Sequence, residues 1–169
     1  IEIFRTFDAL NDFSNIEFSI KEVKRIGKHA QGTIAYTTSP VHDLNTWLDL
    51  AKKIEDAGAD SLAIKDMAGL LRPFDAYNLV KELKQTLSIP IHMQTHATTG
   101  MSAATNMKAV EAGIDNIDTS ISSLSMTYGH SATETMQAIF EGQERSINLD
   151  IDALEEVSVF FKDIRHLPR

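Results

Sequence analysis

Apolar positions along the chain switch repeatedly between two rhythms, strand-like alternation and helical spacing, and the switches mark out paired elements. Residues 1–7 (I-E-I-F-R-T-F) are rich in strand formers and end at Asp8, after which Asn11-Asp12 supplies a turn and helix-cap signal. Ile16, Ile20, Val23 and Ile26 then recur at helical spacing until Gly27 closes the segment. Residues 30–38 predict a second strand broken by Ser39-Pro40, and Leu44, Trp47, Leu48, Ala51 and Ile54 predict a helix capped by Asp43 and ended near Gly58. A third strand at 61–66 leads through the tight loop 67–69 to a helix that starts at Pro73, with Ala76, Leu79, Val80, Leu83 and Leu87 as its buried stripe. Pro90 opens a fourth strand, and Ala103, Met107, Val110 and a closing Gly113 mark its helix. Residues 116–121 predict a fifth strand, followed by a Ser/Gly-rich loop at 122–131 and helices at 134–140 and 151–166.

Strand starts near positions 1, 30, 61, 90 and 116 give a period of about thirty residues, the size of a βαβ unit. Strand and helix alternating at this pitch imply a parallel sheet. No Gly-rich phosphate fingerprint follows any strand, which weakens a dinucleotide-binding sheet. Arg5, Lys65, His96 and Asp118 all fall toward strand C-terminal ends, the catalytic face of a barrel. The expected fold is α/β, a (β/α)8 TIM barrel that is incomplete here: about five βα units plus a C-terminal helix, with residues 1–169 as one partial domain. A closed barrel takes about 250 residues, so the chain reads as truncated. Two open sheet edges and an uncovered apolar interior are expected, and with them association into a homo-oligomer.

The net charge of -8 argues against a nucleic-acid partner. No cysteine is present, so neither a disulfide framework nor a thiolate zinc site is expected, in keeping with a reducing cytoplasm. No apolar run approaches the ~18 residues of a membrane span, and the first residues show no signal pattern; a soluble protein is expected.

The chemistry concentrates at residues 91–100, I-H-M-Q-T-H-A-T-T-G. Alternation in a strand puts His92, Gln94 and His96 on one side and Ile91, Met93 and Thr95 on the other. Lys65 similarly shares a face with Ser61 and Ala63. Imidazoles on one strand with carboxylates on its neighbours suit zinc or a similar divalent ion, and Lys65 would join such a set as a carbamate formed with CO2. Arg5 would then clamp a substrate carboxylate, a combination suited to enolate chemistry on a 2-oxo acid. A metal-free Schiff-base aldolase, with Lys65 as nucleophile, is the competing enzyme reading. His29, His42 and His166 read as surface residues, Asp118 with Thr119 as structural, and Asp66 equally as a site residue or a loop acceptor.

Four stretches in order, F-R-T-F-D-A-L-N-D at 4–12, I-K-D-M-A-G-L-L at 64–71, T-H-A-T-T-G at 95–100 and D-T-S-I-S-S at 118–123, resemble the carboxyltransferase domain of biotin-dependent enzymes. That family includes pyruvate carboxylase, transcarboxylase and the α subunit of the sodium-pumping oxaloacetate decarboxylase. His96-Ala97-Thr98-Thr99-Gly100 and Tyr128-Gly129-His130 look most like the decarboxylase. The resemblance implies Lys65 and Arg5 as catalytic residues, with carboxylated Lys65, His96 and Gln94 holding the metal (zinc, or manganese or cobalt). It implies Arg5, Asp8, Thr98, Tyr128 and His130 at the substrate and biotin.

It further implies a lyase that decarboxylates oxaloacetate to pyruvate by transfer to biotin on a carrier domain. Membrane subunits would be partners, and the enzyme would be cytoplasmic at the inner face of the membrane. A pyruvate carboxylase or transcarboxylase domain, or an inactive scaffold, is the alternative. The family's ligand pair is His-x-His, and its first member here is Gln94. A further aspartate ligand belongs to a first barrel strand that this chain lacks, and a proton-shuttling threonine lies beyond position 169.

Overall fold

A computed structural model describes residues 1–165. Five strands form one sheet in the order β1 (Ile3–Thr6), β2 (His29–Ala35), β3 (Ser61–Asp66), β4 (Ile91–Thr95), β5 (Asn116–Ile117), each parallel to its neighbour. Helices α1 (Phe13–Arg25), α2 (Leu44–Asp56), α3 (Pro73–Thr86) and α4 (Ser102–Glu111) connect them, and α5 (Thr133–Phe140) and α6 (Ile151–Arg165) follow. Side chains of Asp12 and Asp43 cap α1 and α2 by accepting from Ser14 and Thr46 backbone N–H groups, and Pro73 begins α3.

The alternation read from the sequence sorts the side chains. Ile34, Leu62, Ile64, Ile91 and Met93 are fully buried against Ile16, Ile20, Ile54, Val80 and Leu83 of the helices. Gly32 belongs to this layer: a Cβ there would lie 2.3 Å from Ile54 Cγ2, so only glycine lets α2 come this close.

The other side of the sheet is the inside of a curve. Four steps of about 4.8 Å would hold the two edges of a flat sheet about 19 Å apart. Yet Arg5 on β1 donates from Nη1 to Asp118, which follows β5, at 2.6 Å. The sheet therefore curls as barrel strands do, and the fold is the expected incomplete barrel, not closed, with β1 and β5 as edges. Its inner face is not the apolar surface expected: Arg5, Gln31, Thr33, Ser61, Lys65, His92 and Gln94 line it, with the small buried Ala35 and Ala63, and half-exposed Ile3 on β1 and Phe7 just beyond it, as its apolar members.

The fifth strand is shorter than the apolar pattern predicts. Asp118 N–H still reaches Met93 O, but Ser120 then pairs with the backbone of Ser131 and Thr133 and the chain turns into a 3-10 turn at Ser122–Leu124. α6 rests on that turn through Ser158 to Ser122, and Val157, Val159, Phe160 and Ile164 stay exposed. Among the described residues no helix is long and apolar enough to cross a membrane. His166 lies outside the described residues.

Candidate functional site

Arg5 is held at two points. Its Nε donates to Gln31 Oε1 at 2.5 Å and its Nη1 to Asp118 Oδ2. The first contact follows from register, since Arg5 and Gln31 are paired across β1 and β2. Gln31 is itself anchored, its Nε2 donating to Ser61 Oγ at 3.1 Å, and His29 Nε2 meets the same hydroxyl at 2.7 Å. His29 is thus part of an internal relay and not the surface residue expected. At the other end Asp118 Oδ1 pairs with His92 Nε2. Burial raises the Asp118 pKa, but the bonds from His92 and Arg5 outweigh it and hold the carboxyl well below its ordinary range. A carboxylate only accepts, so His92 carries its proton on Nε2.

Lys65 and Gln94 are register partners on β3 and β4, and Lys65 Nζ donates to Gln94 Oε1 at 2.8 Å. The centre of the Phe7 ring lies 5.1 Å from the amine and shelters it. Burial and the nearby Arg5 charge lower the Lys65 pKa, against the pull of Asp118.

His96 follows β4, and its Nδ1 contacts the Tyr128 carbonyl at 2.7 Å. A carbonyl only accepts, so Nδ1 bears the proton and Nε2 keeps its lone pair. His130 packs at 4.6 Å from the His96 ring and donates from Nδ1 to Thr95 O. Tyr128 presents its backbone, while its side chain is exposed.

The remaining expected residues sit differently. Asp8 accepts from the Leu10 and Asp12 N–H groups and from Asn15, which close the turn and lower its pKa, Asp12 most of all. Asp66 points to the helix side, fully buried, and accepts from Leu70 N, Leu71 N and Thr95 Oγ1; it organises the loop after β3. Thr98 is exposed in the loop after β4, where its neighbour Thr99 donates to Gly69 O. His42 stacks on Trp47 at 4.8 Å, in the wall of a 690 Å³ cavity near α2 and α3 that includes none of the residues expected at the site. Gln31 belongs to the site without having stood out in the sequence, although alternation in β2 places it beside Arg5.

The donor set falls short of what the expected divalent ion needs. Among the described residues no group of three or more His, Cys, Asp or Glu is placed to hold a metal. His96 Nε2 is one good donor, but Lys65 and Gln94 are bonded to each other. The described residues do not by themselves make that centre.

Comparison with known proteins shows what the arrangement is similar to. The HMGL-like family profile matches residues 6–160. A pyruvate carboxylase subunit of Methanocaldococcus jannaschii is 44% identical over 165 residues, covering 98% of this chain and 29% of that protein. The methylmalonyl-CoA carboxyltransferase 5S subunit of Propionibacterium freudenreichii subsp. shermanii is 46% identical over 167 residues, covering 98% and 33%. The chain thus spans no more than a third of these relatives. Among solved structures, the carboxyl transferase domain of Rhizobium etli pyruvate carboxylase superposes with a TM-score of 0.94 at 36% identity, covering 98% of this chain and 29% of that one. The same domain with pyruvate and biocytin gives 0.95.

Proposed function

Because the chain belongs to the HMGL-like family, we propose that it forms part of a biotin-dependent carboxyltransferase centre acting on a 2-oxo acid of the pyruvate and oxaloacetate class. The observation that supports this reading is that Arg5, Lys65 and Gln94 lie on one face toward the C-terminal ends of parallel strands, Lys65 bonded to Gln94, with His96 directly after β4. The names of the relatives and the ligands of the R. etli domain support it.

In the direction that consumes oxaloacetate, its C3–C4 bond breaks and the electrons stay on C3 as an enolate. The CO2 released bonds to the biotin ureido nitrogen, which gives up its proton, and a proton ends on C3. Oxaloacetate and biotin become pyruvate and carboxybiotin. Arg5 holds the 1-carboxylate: Nε and Nη1 are fixed by Gln31 and Asp118, which leaves Nη2 for the substrate. Lys65 addresses the keto oxygen, and His96 Nε2 holds the travelling proton. Thr98, Tyr128 and His130 border the side from which biotin, on its carrier domain, arrives.

The two relatives are carboxylase and transcarboxylase subunits, and they favour carboxyl exchange with pyruvate over the sodium-coupled decarboxylase. The second reading, oxaloacetate decarboxylation, rests on the Ala97-Thr98-Thr99 and Tyr128-Gly129-His130 resemblance. It uses the same half-reaction and adds membrane subunits.

The test is exchange of labelled pyruvate into oxaloacetate by the natural full-length protein with its biotinyl carrier. Exchange that needs biotin is expected, and its absence refutes the reading in favour of an inactive scaffold. Arg5→Gln should raise KM for the 2-oxo acid about 10–150-fold, as loss of a charged hydrogen bond of about 1.5–3 kcal/mol would give. Sodium dependence would select the second reading.

A further inference from the structure

We infer that this centre works without a divalent metal: Lys65 keeps a free amine, tethered to Gln94, and its N–H groups take the place at the keto oxygen that a metal would fill. The inference rests on the carboxyltransferase reading and deepens it.

Lys65 and Gln94 face each other in register and close on each other at 2.8 Å, so the amide oxygen already has a donor. A neutral amide binds zinc more weakly than imidazole does. Loss of mere supporting hydrogen bonds around a metal costs about 10–100-fold in affinity, and replacing a direct ligand costs more.

No neighbour among the described residues stands in. His92 shares the face but sits about 6–7 Å back along the strand from Gln94, and its Nε2 is bonded to Asp118. Asp118, the carboxylate of this face, already accepts from Arg5 and His92. His130 is turned to Thr95 O, Asp66 lies on the helix side and Asp8 closes its turn. One aspartate supplied by another strand would join only His96 as a strong ligand. A dication would also meet Arg5 and Lys65 with Asp118 already paired, and uncompensated like charge in a half-buried site is unfavourable.

The same arrangement suits the chemistry. The charge that develops on the keto oxygen as the enolate forms is met by Lys65 N–H, oriented by Gln94 and sheltered by Phe7.

The test uses the natural full-length protein with its biotinyl carrier, dialysed in turn against zinc, manganese and cobalt. Elemental analysis should find below about 0.1 metal per chain, and intact mass should show no CO2 added at Lys65. Exchange should survive EDTA. Gln94→His should bind about one zinc per chain. About one metal per wild-type chain, CO2 on Lys65, or activity lost to EDTA and restored by metal would each overturn the inference. So would Gln94→His binding no zinc, because position 94 would then not be a ligand position. Absence of exchange in every sample would refute the carboxyltransferase reading, while the metal count still decides this one.

Discussion

Asp118→Asn should destabilise the protein in a way that reports directly on how Arg5 is held. The carboxylate accepts from Arg5 Nη1 and His92 Nε2, and an asparagine has one acceptor oxygen and one NH2 group. One donor therefore keeps a weaker partner, and the other faces an N–H. A hydrogen bond to a charged group contributes about 1.5–3 kcal/mol. Two such bonds are affected, about 3–6 kcal/mol together, but one survives in weaker form and the Arg5 and Asp118 side chains are about a quarter exposed, so the net loss is about 2–3 kcal/mol. With a urea m-value of about 2 kcal/mol/M for a chain of this size, the unfolding midpoint should fall by about 1–1.5 M at pH 7.

The pH dependence has a defined sign. Asp118 has its folded pKa depressed below the ordinary value of 3.8, so its contribution is complete above that value and is lost as pH falls toward the folded pKa. The gap between wild type and variant should hold steady above about pH 4.5 and narrow from there toward pH 2. KM for the 2-oxo acid should rise in the variant with a smaller change in kcat, since Arg5 loses its brace. Midpoints within about 0.3 M of each other at pH 7, or a gap unchanged from pH 5 to pH 2, would refute the reasoning.

Three further perturbations probe the scaffold. Gly32→Ala places a methyl 2.3 Å from Ile54 Cγ2 and 3.1 Å from Ile20 Cδ1 in a closed core; a cost of about 1–3 kcal/mol should lower Tm by about 3–10 °C, and an unchanged Tm would show that α2 can step back. Glu55 is held down to about 2, first by Lys52 and then by Ser88, against the opposing effect of burial. The stability difference between wild type and Glu55→Gln should be steady above about pH 4.5 and disappear toward pH 2, and a difference that grows on acidification would contradict this. Asn11, at φ 59°, donates to Ala35 O and accepts from Ala35 N, so Asn11→Ala should speed hydrogen exchange at the Ala35 amide while Met93 keeps its protection.

Alternation made the faces of β3 and β4 legible, because Leu62 with Ile64 and Ile91 with Met93 leave Lys65 and Gln94 no other side. The same rule applied to β2 yields His29, Gln31 and Thr33 on the inner face, but their small and polar neighbours hide the rhythm there. The end of β5 was not legible, since the sequence stays strand-like to Ile121 while the backbone partners of Ser120 come from 13 or fewer residues further on. Although the interior as a whole was expected to be apolar, its polar members Lys65, His92 and Gln94 were visible one by one. Its closure into one network was not, because the Arg5–Asp118 pair exists only once the sheet curls. Asp8 and Asp66 show the limit of motif matching: a carboxylate beside a site residue is equally the acceptor that folds the loop.

The acceptor that orients His96 is the backbone carbonyl of residue 128, not its side chain, and Ala97 N–H likewise takes Gly129 O. Main-chain atoms are present whatever the residue, so many side chains should be acceptable at position 128 without turning the imidazole. The spacing of that loop has no such freedom. Inserting or deleting one residue between Met126 and His130 would move the carbonyl away and release the ring, so length variation here should be far more damaging than substitution.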